Sequence, residues 1–318
     1  MGSALAYRHA GVEAMNAQYL AVARLMARIA RNVFADGVFA LKGGTAINLF
    51  VRDLPRLSVD LDLVFLDHTL PREQALDAIG KALESIAGRL KALGFDVPGK
   101  RTGESGDSYL NVRRDGLQVV VEVNEVIRGT LLAPKILPLQ PKAKEVLGVE
   151  LELPVLAESE TYAGKLVAAI DRQHPRDLFD VHQLFAAGGI TAEMRRCFVA
   201  YLASHNRPTH EVLAPRLKDI AVTFEEGFEG MAREPVDLST LLSTRDRLID
   251  EIRRGLSTEE RQFLVSLASA EPDWELIGFP VLAEMPGPSW KLQNLKKLAK
   301  KNPQKFREQL ARLEKLLS

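Results

Sequence analysis

A bilobed chain, with an α/β lobe built on a mixed sheet followed by an all-α lobe, is the fold class the sequence predicts. Three observations carry it. Up to "VELELPVL", Val149 to Leu156, short runs of strand character alternate with segments of helical spacing. From Ser159 onward almost every segment reads helical. At 318 residues and 46 % hydrophobic, the chain has material for two cores, so the expected domains are residues 1–155 and 156–318.

In chain order, Tyr19, Leu20, Val22, Leu25, Met26 and Ile29 recur at helical spacing and predict an amphipathic helix from Glu13 to Asn32. "GVFAL", Gly37 to Leu41, is a short strand, and Gly43-Gly44 form the turn into a helix starting near Thr45. "LSVDLDLVFL", Leu57 to Leu66, alternates strictly: Ser58, Asp60, Asp62 and Val64 share one face, and Leu57, Val59, Leu61, Leu63 and Phe65 the other. Pro71 to Leu93 returns to helical spacing. Gly99 to Ser108 is a mobile loop or hairpin connection, followed by strands at "YLNV" and at Leu117 to Ile127, the second with Glu122 inside a valine run. The helical half breaks at His174-Pro175, Gly188-Gly189, Asn206 to Pro208, Glu234-Pro235 and Pro272. Its last segment, Trp290 to Leu317, is the one strongly basic region, a solvated helical face or a nucleic-acid footprint. Trp274 and Trp290 are expected to pack the helical lobe.

Lys+Arg and Asp+Glu are equal at 42 each, so any surface for nucleic acid must be local. One cysteine, Cys197, excludes an internal disulfide and a thiolate metal cluster, suits a reducing cytoplasm, and sits in "MRRCFVAYL" as a core residue. The six histidines lack the paired spacing of a zinc site. No apolar stretch is long enough to cross a bilayer, and no membrane partner is expected. Neither a Ser/His/Asp nor a Cys/His frame is present. Lys42 precedes the glycines, where it can reach phosphate without making a Walker-type loop.

Carboxylates at i and i+2 of a strand project side by side, which suits Asp60 and Asp62 to hard cations such as Mg²⁺; Glu122, on a neighbouring strand, is the candidate third ligand. Two such ions activate an attacking hydroxyl and stabilise the leaving pyrophosphate of a nucleoside triphosphate. Gly43-Gly44-Thr45 fits the same task, since glycines let backbone approach phosphates and a helix N-terminus offers free N–H groups. Taken singly, the glycine pair is an ordinary strand-to-helix turn and the aspartates an exposed edge face. Their combination narrows the choice.

Glycine turn, helix, then Asp-x-Asp on the next strand resembles the DNA polymerase β-like nucleotidyltransferase superfamily. The string "KGGTAINLF...RLSVDLDL" looks like its AbiEii/AbiGii branch of toxins, with Arg56 and Ser58 part of the recognisable string. The resemblance also implies a lysine and then Asp-x-x-Asp further along, matched by Lys165, Arg176, Asp177 and Asp180. Ser159 is placed to cap the helix bearing Lys165, and Asp177 and Asp180 share one face of the next helix. Lys165 is suited to donate to triphosphate oxygens. Asp177 accepts the proton of the incoming hydroxyl or holds Lys165 in register, and Asp180 positions its neighbours. What the resemblance implies is a toxin of a toxin-antitoxin or phage-abortive system, with an NTP as substrate, an RNA acceptor such as the tRNA 3′ end, and an antitoxin made alongside. Transfer to a protein side chain or small molecule, and a non-enzymatic nucleotide- or partner-binding protein, are the alternatives.

Overall fold

The computed structural model describes residues 17–102 and 107–318. It divides into two compact units: one runs to Thr161 and takes in Ala221–Leu238, the other comprises Tyr162–Ile220 and Ser239–Ser318. The sequence places one division at residue 155; the structure divides six residues later, inside a helix, and returns a segment of the later chain to the first unit. That return has a local cause, since Leu57 N–H donates to Met231 O (2.9 Å) and Arg233 N–H to Pro55 O (2.8 Å).

The first unit holds a seven-stranded mixed sheet in the order β3-β4-β5-β2-β1-β7-β6. Its strands are β1 (Phe39–Lys42), β2 (Leu61–Phe65), β3 (Lys100–Thr102), β4 (Asp107–Arg114), β5 (Leu117–Asn124), β6 (Lys135–Pro138) and β7 (Glu152–Val155). β2 runs antiparallel to β1 and parallel to β5. Within Gly99 to Ser108, Lys100–Thr102 and Asp107–Ser108 belong to the antiparallel strands β3 and β4, in line with the hairpin alternative, and residues 103–106 lie outside the described set. β6 escapes a reading of apolar runs because "KILP" offers only a short, largely exposed edge strand beside β7.

Helices α1 (Ala17–Val33) and α3 (Arg72–Ala92) bury Ile29, Val33, Ile79, Leu83 and Leu90 in the same core as Leu61, Leu63, Phe65, Val121 and Val123. Residues 13–16 of the expected first helix lie outside the described residues. The period-2 alternation thus turns Leu41, Leu63 and Val121 inward and leaves Lys42, Asp62 and Glu122 on the other sheet face. There Ala40, Val64 and Leu156 form a small separate apolar cluster.

α2 (Gly43–Thr45) starts directly at Gly43, two residues before the position read from sequence, and runs on as a π-helical segment (Ala46–Val51). The expected strand over Leu57 to Leu66 contracts to β2, because the groups preceding Leu61 bond to Met231 and Thr45 rather than to a neighbouring strand. α4 (Pro141–Leu147) ends on Gly148 in the left-handed conformation.

α5 (Glu158–Asp171) begins one residue before Ser159, which is therefore in its first turn and not its cap. The second unit continues with α6 (Pro175–Ala186), α7 (Ala192–Leu202) and α8 (Thr209–Leu213). After α9 (Ala221–Gly227) of the first unit come α10 (Leu238–Gly255), α11 (Thr258–Ala268), α12 (Pro286–Lys301) and α13 (Pro303–Leu317). Side-chain caps set the starts: His174 accepts from Arg176 N–H, Thr191 from Met194 N–H, and Ser257 forms a capping box with Glu260. Tyr162, Phe179, Phe198 and Phe263 fill this core, and Cys197 is fully buried in it as expected. Trp274 packs against Phe263 (ring centroids 5.8 Å), but Trp290 is 40 % exposed, against expectation. Trp290 is displaced by about 100° around α12 from the buried Lys291. Among the described residues no helix is long and apolar enough to cross a membrane.

Candidate active site

The chain leaves β1 at Lys42 and enters α2 through Gly43 at φ +74°, a left-handed conformation. A Cβ on Gly43 would stand 2.2 Å from Asp62 Oδ2, so the Asp62 carboxylate lies against a bare Cα. A Cβ on Gly44 would stand 2.8 Å from Arg56 Nη2 and 3.1 Å from Ser58 Oγ. The two glycines therefore admit side chains of the Arg56–Asp62 segment to the backbone of the turn.

Thr45 fastens the same two segments. It is 2 % exposed, its Oγ1 donates to the Asp60 carbonyl (2.5 Å), and it lies 2.9 Å from Ser58 Oγ. Arg56, also buried, donates from Nη1 to Leu57 O at 2.9 Å. Asn48, which the sequence reading missed, donates to Gly44 O at 2.9 Å; its only sequence signal is helical spacing four residues beyond Gly44. The hydroxyls of Thr45 and Ser58 are thus built into the frame of the turn, and the half-buried carboxylate of Asp62 is the group this frame presents.

Strand register sets the charge pattern beside it. Lys42 is the cross-strand partner of Asp62, Asp62 of Glu122, and Glu122 of Tyr109, so these four side chains form a row over β1, β2, β5 and β4. Asp60 stands just before β2, two residues back from Asp62. Glu125, off the Glu122 face, is buried and accepts from Ser108 Oγ, which leaves Glu122 as the acid of the exposed row.

Among the described residues no three His, Cys, Asp or Glu side chains are gathered so as to hold a metal ion. The set Asp60, Asp62 and Glu122 is therefore not assembled as one cluster. The Asp60–Asp62 pair still fits Mg²⁺, a hard cation usually held in phosphate-transfer sites by one or two carboxylates and completed by substrate phosphates.

The second unit brings together the other predicted group. Lys165 on α5 donates to Asp177 Oδ1 (2.7 Å) and pairs with Asp180 Oδ2 (2.9 Å), both on α6 at i and i+3. Arg172, a residue not anticipated from sequence, donates to the remaining Asp177 oxygen at 3.0 Å. Lys165, Asp177 and Asp180 are all at least nine-tenths buried. Arg176 gives its backbone N–H to His174 Nδ1 (3.1 Å).

Exchange of Gly43 for alanine tests the first group. The left-handed backbone costs a Cβ about 1–2 kcal/mol, and the contact with Asp62 forces the carboxylate to move. We expect Gly43→Ala to lose most activity with a small fall in Tm. Activity near wild type would show that Asp62 tolerates displacement.

A glycine turn between a strand and a helix, apposed to Asp-x-Asp on the adjacent antiparallel strand of a mixed sheet, is the arrangement that the resemblance to nucleotidyltransferases implies. The family model described as nucleotidyl transferase AbiEii toxin, type IV toxin-antitoxin system, matches residues 24–294, and the chain belongs to that family. It is similar in fold to MenT4, a nucleotidyltransferase toxin from Mycobacterium tuberculosis H37Rv, at 22 % identity and a TM-score of 0.57, over 78 % of this chain and 89 % of that one. Comparison with curated proteins gives no match.

Proposed function

We propose that this toxin transfers a nucleoside monophosphate from an NTP to an RNA acceptor, such as the 3′ end of tRNA, in the cytoplasm and with Mg²⁺. The observation that carries the reading is the fit of the Asp62 carboxylate against Gly43, which puts an acid beside the backbone of a phosphate-type turn. Asp60 and Asp62 hold the cation, with Glu122 next in the row. Bound there, Mg²⁺ supplies charge neutralisation at the α-phosphate and a lower pKa for the attacking hydroxyl. Lys42 and the Gly43-Gly44-Thr45 turn orient the triphosphate, while Arg56 and Ser58 keep the turn in shape.

The acceptor oxygen forms a bond to the α-phosphorus as the bond to the bridging oxygen of pyrophosphate breaks, and the hydroxyl proton passes to a carboxylate of the row. Lys165, Asp177 and Asp180 serve the same reaction. Both Asp177 oxygens already accept, from Lys165 and Arg172, which supports a positioning role for Asp177 over that of proton acceptor. An antitoxin made alongside limits the outcome to growth arrest under defined conditions.

Incubation with each labelled NTP, Mg²⁺ and either total tRNA, cell protein or small-molecule pools tests the reading. Label is expected at RNA 3′ ends, with equimolar pyrophosphate release. Label in protein or small molecules but never in RNA would overturn the acceptor, and nucleotide binding without any transfer would overturn the reaction.

A further inference from the structure

The α12–α13 hairpin departs from the rest of the chain in charge. Residues 286–318 hold nine Lys and Arg against two Glu, in a protein whose charges balance over the whole chain, so the remainder carries the matching acidic excess. Elsewhere several cations are paired along their helices, as in Lys81–Asp77 (2.7 Å), Lys142–Glu145 (2.8 Å) and Arg254–Asp250 (2.8 Å). On the hairpin, Lys296, Lys297, Lys300, Lys301, Lys305 and Arg312 are exposed, and among the described residues none has a carboxylate at ion-pair distance. Lys296–Lys300 and Lys297–Lys301 are like-charge i, i+4 pairs, which weaken a helix. Stability does not account for them.

The exposed Trp290 lies in the same stripe, at i, i+7 and i+11 with Lys297 and Lys301. The platform beneath is firmly held. Lys291 Nζ donates to the carbonyls of Leu202 (2.8 Å), His205 (3.0 Å) and Arg207 (3.2 Å), burial pushes its pKa down to about 7, and Leu313 and Leu317 are buried. The leucines of both helices are buried or half-buried, so no apolar face is left for insertion into a lipid surface.

We propose that the outer face of this hairpin holds the RNA acceptor, its lysines on backbone phosphates and Trp290 stacked on an unpaired base. The inference rests on the RNA reading of the proposed function. It adds a binding surface whose role is separate from the chemistry of Asp60 and Asp62.

The test uses the full chain with Trp274→Phe, which leaves Trp290 as the one tryptophan. Titration with tRNA and with a single-stranded oligoribonucleotide should quench its fluorescence. Charge reversal at Lys296, Lys297, Lys300 and Lys301 should weaken RNA binding about tenfold or more at 0.1 M salt and lower the slope of log K against log[salt] by about 3. NTP affinity should stay unchanged. Trp290→Ala, which alters no charge, should weaken single-strand binding while keeping the salt slope. Unchanged RNA affinity and slope in the reversed variant overturn the proposal, as does quenching by phosphatidylglycerol vesicles but not by RNA. Asp62→Asn, which should bind RNA normally without transfer, separates failure of this surface from failure of the catalytic reading.

Discussion

Asp62→Asn is expected to abolish nucleotide transfer, with a loss of about 10³-fold or more in rate, equivalent to about 4 kcal/mol or more of transition-state stabilisation. The asparagine keeps the volume that lies against Gly43 and removes only the charge. Because Asp62 projects from the sheet face opposite the Leu61–Leu63–Phe65 core, Tm should stay within a few degrees of wild type. Asp60→Asn should behave alike, and expression of either variant should no longer arrest growth. The check is pyrophosphate release at saturating NTP, read together with a thermal melt. Retained transfer by a well-folded Asp62→Asn protein would move the reaction away from this row.

The second large effect is on stability. Lys165→Met leaves Asp177 and Asp180 buried without their cation, and breaking such a pair typically costs about 3–5 kcal/mol. At 6 % side-chain exposure for Lys165 and 5 % and 0 % for its partners, solvent cannot rescue them. Arg172→Ala should cost far less, since that side chain is 64 % exposed. The triple variant Lys165→Met, Asp177→Asn, Asp180→Asn should recover much of the loss, because it removes the uncompensated charge rather than one partner. Urea unfolding midpoints measure all three. A Lys165→Met protein as stable as wild type would mean that the cluster is solvated.

Much of the site was legible because strand periodicity is a short-range property. The alternation from Leu57 to Leu66 is enough to put Asp60 and Asp62 on the side away from Leu61, Leu63 and Phe65, and the glycine pair announces a backbone that needs no Cβ. What approaches those glycines is not a local matter. Asp62 lies against Gly43, Arg56 covers Gly44, and Thr45 bonds to the Asp60 carbonyl, contacts made across 12 to 19 residues by the pairing of β1 with β2.

The same division holds in the helical half. Spacing put Asp177 and Asp180 on one helix face, but only the packing of α5 on α6 decided that Lys165 is clamped between them rather than extended into solvent. Trp290 shows the converse: an aromatic expected in the core by hydrophobicity alone is turned outward by its place on α12, beside the unpaired lysines.

By itself, then, the sequence determined the order of α/β and helical segments, the acid face of β2 and the glycine turn, all features governed by neighbours within a few residues. The tertiary structure alone decided the Lys42–Asp62–Glu122–Tyr109 row, the return of Ala221–Leu238 to the first unit and the buried Lys165 cluster. Each depends on which surfaces meet when apolar area is withdrawn from water, and that choice is made by the whole chain.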